Sequence, residues 1–218
     1  MTKIEYKDLS ARLQNLSKKI PLNWGKVQND SMDKLVNLFN YNTFGSLENK
    51  IKNMPINIQN YFRRRWFLYK CSQVDEYLFY QNNNVKKNPK LKDQSWDISI
   101  NNSIHFDIKS TVVPKSLRSN FIVNDINEKK IIDFYYKNQS KGVRYKVQNR
   151  LFIVHHSYKN NERNIYLRCH WKLKEIAYLK FINLISDSKI NLIKYRSVFS
   201  KCIFIIETKN NDFHYKII

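Results

Sequence analysis

Apolar positions along the chain follow two spacings, helical up to about residue 82 and largely alternating after residue 95. Three short helical stretches come first, Lys7 to Ile20, Ser31 to Phe39 and Ser46 to Asn53, with Ser31 and Ser46 in N-cap position. The last two, separated by Asn40 to Gly45, have the outline of a helix-turn-helix, although a packing subdomain is the favoured reading. A long helix is then expected from about Ile58 to Gln81. At about 100° per residue, Phe62, Trp66, Tyr69, Gln73, Tyr77, Tyr80, Phe67, Cys71, Val74 and Leu78 make one broad arc. Arg64, Arg65, Ser72, Asp75 and Asn82 fill the remainder. Asp75 falls in the middle of that polar arc and Glu76 at its edge, so Glu76 is the acid expected to face inward.

Ser95 to Ile100 and Ile104 to Lys109 alternate and predict a hairpin. Leu151 to Ser157 and Cys202 to Thr208 are apolar enough for central strands, and Ile165 to Cys169 and Phe213 to Ile217 are shorter strand candidates. Helices are expected over Ser140 to Arg150 and Trp171 to Ser186. From residue 58 the order helix, hairpin, helix, strand or strands, helix, strand, strand predicts an α/β fold with a mixed sheet, preceded by a helical N-terminal region.

Charge changes the picture more than any other bulk property. The 218 residues carry 39 Lys+Arg against 18 Asp+Glu, a formal net charge of +21. Such a surplus lies on the surface and repels itself unless its partner is a polyanion, and nucleic acid is the leading candidate. A solvated basic surface with no partner is the bland alternative. The cations form local knots at Arg63 to Arg65, Lys86-Lys87, Lys115 to Arg118 and Lys137 to Arg150, not one face of an amphipathic membrane-surface helix. No run approaches the roughly 18 apolar residues of a membrane span, and Met1 to Lys7 lacks a signal peptide's apolar region. A soluble, cytoplasmic protein without membrane contact is expected. Cys71, Cys169 and Cys202 are odd in number, far apart and outside any CxxC pair, which indicates neither a disulfide framework nor a zinc knuckle. His155 and His156 would point to opposite faces of a strand and could not easily share one ion.

The stretch with chemical content is the hairpin. If Ile98 and Ile100 share a buried face with Ile104, Phe106 and Ile108, the Asn101-Asn102-Ser103 turn gives the pairs 100:104, 98:106 and 96:108, with Trp96 on that same face. Asp97 then stands opposite Asp107 on the other face, with Lys109 two residues on. Opposed carboxylates repel, so they are either exposed to water or clamping a cation. Hard oxygen ligands beside an ammonium suit metal-assisted hydrolysis of a phosphate ester. A solvated polar hairpin face remains the plain alternative.

Asp97, followed ten positions later by Asp107-Ile108-Lys109 and preceded by a helix carrying Glu76, resembles the PD-(D/E)xK phosphodiesterase superfamily, which includes many restriction endonucleases. The resemblance spans roughly residues 58 to 157. It implies a restriction-endonuclease-like mixed β-sheet flanked by helices, Mg²⁺ as cofactor with Mn²⁺ substituting, and hydrolysis of DNA phosphodiesters by metal-activated water. By that resemblance Asp97 binds or bridges metal, Asp107 binds the same metal with the Ile108 carbonyl as a further ligand, and Lys109 orients or deprotonates the water. Glu76 resembles the acid some members place on the preceding helix, and Gln148 a glutamine of exonuclease-like members. Trp96 stands where the motif name has proline, and Asp107 is the less common acid; neither departure removes a ligand.

On this reading residues 1–57 are a helical region able to contact DNA and residues 58–218 a nuclease domain. The expected activity is that of a restriction-type endonuclease on double-stranded DNA, for which a homodimer would cut both strands of a palindrome. A resolvase, transposon or repair nuclease, and a non-catalytic nucleic-acid-binding protein on the same fold, are the alternatives. Arg63, Arg64, Arg65, Ser110, Thr111, Lys115 and Arg118 are candidate phosphate contacts, each weighed against a merely solvated role.

Overall fold

The computed structural model describes residues 1–19, 30–90, 95–138 and 149–218. Helix α1 (Lys3–Ser17) starts four residues before the expected Lys7, because Thr2 and Glu5 form a reciprocal capping box. The Glu5 amide donates to Thr2 Oγ1 at 3.2 Å and the Thr2 amide to Glu5 Oε2 at 2.6 Å. The single helix expected over Ser31 to Phe39 is split into α2 (Asp30–Asp33) and a 3-10 helix Leu38–Asn40. Asn37 caps the second piece by accepting the Phe39 amide at 3.1 Å, and Ser31 lies inside α2 rather than at its cap. Helix α3 (Phe44–Ile51) is capped by Thr43, not Ser46: Thr43 Oγ1 accepts the Ser46 amide at 3.2 Å.

Helix α4 (Ile56–Tyr80) matches its expectation within two residues and begins directly after Pro55. Its inward acid does not match. Asp75 is 1% exposed, whereas the Glu76 side chain keeps 27% of its surface. Asp75 is buried because groups from elsewhere cover it: Arg168 and Lys174 both form ion pairs with it, Tyr178 donates to it at 2.9 Å and Ser110 at 3.0 Å. α4 is thus packed on more than its apolar side.

Among the described residues the sheet has seven strands: β1 (Val85–Lys87), β2 (Ile98–Ile100), β3 (Ile104–Val112), β4 (Asn149–Ser157), β5 (Ile193–Tyr195), β6 (Val198–Glu207) and β7 (Phe213–Lys216). Their order is β1-β2-β3-β4-β6-β5, with β7 also on β6. β3, β4 and β6 run parallel and every other pairing is antiparallel, so the sheet is mixed. Helix α5 (Asp125–Asn138) connects β3 to β4, and α6 (Trp171–Ser186) lies between β4 and β6, as parallel neighbours require. Phe106, Leu151, Ile153, Ile203 and Ile205 join one core with α4, α6 and residues Leu13, Leu47 and Ile51 of the N-terminal helices. Phe152, Val154, Cys202, Phe204 and Ile206 join the other, with Ile131, Ile132, Tyr135 and Tyr136 of α5. Burial on both faces explains the near-continuous apolar runs of β4 and β6. No described helix is long and apolar enough to cross a membrane.

One expectation fails here, and another lies mostly outside the described residues. The segment Ile165 to Cys169 is not a strand but the end of a 3-10 helix Asn161–Cys169, opened by Asn160 accepting the Glu162 amide at 2.9 Å. The helix expected over Ser140 to Arg150 falls on residues 140–148, outside the described residues, while Asn149 and Arg150 already belong to β4. Helix α5 was not anticipated. Its Glu128 fills a gap along the β6 edge, between residues 198–200 covered by β5 and 204–207 covered by β7. There it accepts the Cys202 amide at 2.8 Å, satisfying that backbone donor, and the Lys201 ammonium at 3.1 Å.

His155 and His156 sit at the end of β4, buried on opposite faces. His155 Nδ1 lies 3.1 Å from the Thr111 carbonyl oxygen, and His156 packs against Phe121 and Tyr158. Burial, with Arg118 adding to it, pushes His156 down to about 4. Burial with the charges of Lys174 and Arg168, opposed by Asp75, pushes His155 well below the usual imidazole range. The unfolded chain takes up these protons below about pH 6.5, which the folded chain refuses. Stability is therefore complete above that pH and declines toward pH 4. Urea midpoints taken from pH 7.5 to 4.5 are expected to fall steadily, with a shallower fall for His156→Gln. A flat wild-type profile would mean that water reaches both rings.

Candidate active site

The β2–β3 turn places Asn101 and Asn102 in the left-handed region, at φ 52° and 60°, which asparagine tolerates better than other side-chain-bearing residues. It sets the register Ile100 to Ile104, Ser99 to His105 and Ile98 to Phe106, in agreement with the parity argument. Beyond Ile98 the regular ladder stops. The Asp97 amide donates to the Phe106 carbonyl at 2.8 Å, and the Trp96 ring stacks on His105 with centroids 4.5 Å apart. Trp96 is consequently half-buried beside His105 and does not share the apolar face of Ile98 and Ile100, and the 96:108 pair is not made.

This break repositions Asp97. Its Oδ2 accepts the Ile108 amide at 2.7 Å, taking the place of the strand carbonyl that β2 no longer supplies. Asp97 is thereby held against the peptide between Asp107 and Lys109 rather than side by side with Asp107 across a ladder. Asp107 is itself buried, at 2% exposure. Its Oδ2 accepts from Arg150 Nε at 2.7 Å, and its Oδ1 lies 2.9 Å from Lys109 Nζ. Arg150 was anticipated only as the end of a basic stretch. The parallel register pairs it with Asp107, and its guanidinium lies over the Tyr136 ring at 5.2 Å, with Tyr136 Oη 2.7 Å from Ser200 Oγ.

Glu76 approaches the same region from α4. Its nearest cation is Lys87 on β1, at 3.3 Å. Burial raises the Glu76 carboxyl above its ordinary value; Lys87 opposes this, and the negative charge of Asp97 adds to it. Glu76 and Asp97 both line a cleft of about 920 Å³ bounded by α1, the start of α3, α4 and the chain from β1 to β2, whereas Asp107 and Lys109 do not line it.

Among the described residues no three His, Cys, Asp or Glu side chains converge as a ready metal cluster. Mg²⁺ does not need one, because it is commonly held by one or two carboxylates with water and phosphate completing its shell. Asp97, Asp107 and the Ile108 carbonyl offer oxygens of that type, with one Asp97 oxygen accepting the Ile108 amide and both Asp107 oxygens facing cations. Lys109, Arg150 and Lys87 supply the cationic charge that keeps this concentration of acids folded.

The candidate phosphate contacts are dispersed. Arg63 makes two hydrogen bonds to Glu48, at 2.8 and 2.7 Å, and Arg65 pairs with Asp33 at 3.0 Å. Arg64 lies over the Tyr61 ring at 5.4 Å. Ser110 is turned toward Asp75, and Thr111 is buried. Arg118 Nε donates to the Val113 carbonyl at 2.8 Å, while Lys115 is exposed. Gln148 lies outside the described residues. No family model, no curated protein and no solved structure matches the chain.

Proposed function

We propose that the chain is a divalent-metal-dependent deoxyribonuclease of the PD-(D/E)xK kind, with Asp97, Asp107 and Lys109 at its centre and Glu76 at the margin. The observation that carries this reading is the 2.7 Å bond from the Ile108 amide to Asp97, which holds the second acid against the Asp107-Ile108-Lys109 peptide although the regular β2–β3 ladder has ended. The order of elements supports it: α4, the hairpin, α5, then central strand β4 parallel to β3. Asp97, Asp107 and the Ile108 carbonyl would hold Mg²⁺ or Mn²⁺, which when bound supplies Lewis acidity toward the phosphate and lowers the pKa of a water.

The protein's own groups divide the remaining work. Arg150 fixes the rotamer of Asp107 through Oδ2, so that Oδ1 is the oxygen presented toward Lys109. Lys109, 34% exposed at its side chain, can exchange its contact with Asp107 for one with the attacking water or the phosphate oxygens as negative charge builds there. Glu76 adds negative charge beside Asp97 and is kept in place by Lys87.

A second reading, a non-catalytic DNA-binding protein on this fold, is favoured by the pairing of both Asp107 oxygens with cations. The two separate when the protein is incubated with supercoiled and linear DNA in Mg²⁺, in Mn²⁺ and in EDTA. The nuclease reading expects metal-dependent cutting, reduced by about two or more decades in Lys109→Ala while DNA binding persists. Tight, salt-sensitive binding with no cutting under either metal would favour the binder instead.

A further inference from the structure

Lys70, on the cleft side of α4, is 7% exposed and has neither a carboxylate partner nor a hydrogen bond among the described residues. Its ammonium faces two rings instead, 5.7 Å from the Trp66 centroid and 5.3 Å from that of Tyr69. Burial alone lowers its pKa, with no acid acting on it. The stem is buried while the ammonium still meets water at the cleft, so the charge is partly desolvated with no counter-charge among the described residues, and two ring faces offset that only in part. The other buried cations among the described residues are matched: Lys174 and Arg168 with Asp75, Lys201 with Glu128, Arg150 with Asp107. Lys70 differs in one further respect, since it lines an open cleft into which an anion can come.

We propose that Lys70 is the floor of a phosphate-binding site, and that its occupant is a single-stranded segment of DNA led along the cleft toward Glu76 and Asp97. The strand assignment rests on the nuclease reading; the phosphate site does not. Glu76 lies six residues beyond Lys70, about 9 Å along α4 at the helical rise, so a strand anchored on Lys70 passes the candidate acids. Tyr69 and Trp96 present half-buried rings to the same cleft, and bases stack on such faces without regard to sequence. Lys87 and Lys90 stand exposed at its rim. A volume of about 920 Å³ accepts a nucleotide or two of one strand.

The test is binding of a labelled 12-nucleotide single strand to the full chain in EDTA, read by fluorescence anisotropy over a range of salt. Lys70→Met is expected to weaken binding about tenfold to a hundredfold, the loss of one charge-assisted contact. The slope of log affinity against log salt should fall by about 0.7, one phosphate's worth for a single strand. Its melting temperature should be unchanged or slightly higher, because the substitution replaces a partly desolvated charge that has no carboxylate partner among the described residues with an apolar chain of similar length. Unchanged affinity and slope in Lys70→Met would overturn the site. Inorganic phosphate competing as well, per molecule, as the oligonucleotide would overturn the strand assignment. Loss of binding in Lys70→Met with no cutting by the wild type in metal would leave the phosphate site standing and remove the nuclease reading. Cutting by the wild type with normal binding in Lys70→Met would do the reverse.

Discussion

Asp107→Asn is expected to lower the rate of metal-dependent DNA cleavage by about three decades while leaving DNA affinity equal or higher. The substitution keeps the shape of the side chain and one acceptor for Arg150 Nε, but removes the charge that would hold the metal and that Lys109 now faces at 2.9 Å. Affinity should not suffer, since the variant loses a negative charge beside the bound polyanion. Stability should fall by about 1.5–3 kcal/mol, because Arg150, 3% exposed at its side chain, keeps a hydrogen bond but loses a buried counter-charge. Cleavage, affinity and denaturant midpoint measured on one preparation separate these effects. A variant that cuts at the wild-type rate while showing the stability loss would make Asp107 a structural partner of Arg150 and nothing more.

The features legible from sequence were those set by short-range periodicity. The bounds of α6 coincide with the amphipathic pattern Trp171 to Ser186, and the hairpin register follows from parity across a three-residue turn. Both depend on neighbours within one element or one turn. Helix α5 is equally local, with Asn124 accepting the Asn127 amide at 2.9 Å and Ile131, Ile132, Tyr135 and Tyr136 at helical spacing, although the helix expected from sequence starts farther on, at Ser140. Other features were not local at all. Trp96 leaves the apolar face because β2 begins only at Ile98, and Asp97 then caps an amide eleven residues away. Arg150 meets Asp107 only through the β3–β4 register, 43 residues apart in sequence. The candidate acids were therefore readable as a pattern, whereas the cations that hold them in place were not.

Asp75 is the clearest case of that limit, and Asp75→Asn is expected to destabilise the fold by about 3–5 kcal/mol, the usual cost of removing one member of a buried ion pair. The wild-type cluster is a single carboxylate shared by two cations, Arg168 and Lys174, that are each 1% exposed or less. Burial by itself would raise the Asp75 carboxyl, but Arg168 and Lys174 outweigh it and hold the group well below the usual carboxylate range. A depressed carboxyl contributes its stability above about pH 4 and loses it as pH falls further, so the cost of the substitution should be largest near neutral pH and shrink in acid. Asparagine preserves room for the Tyr178 and Ser110 bonds and leaves two buried positive charges with no negative one. Lys174 is the one able to escape by losing its proton, since its burial already lowers its pKa and Asp75 is what opposes that. Adding Lys174→Met to Asp75→Asn should consequently recover part of the loss, giving a favourable coupling in a double-mutant cycle. A cost below about 1 kcal/mol for Asp75→Asn, with no coupling to Lys174, would show that water or proton transfer already neutralises the cluster in the folded chain.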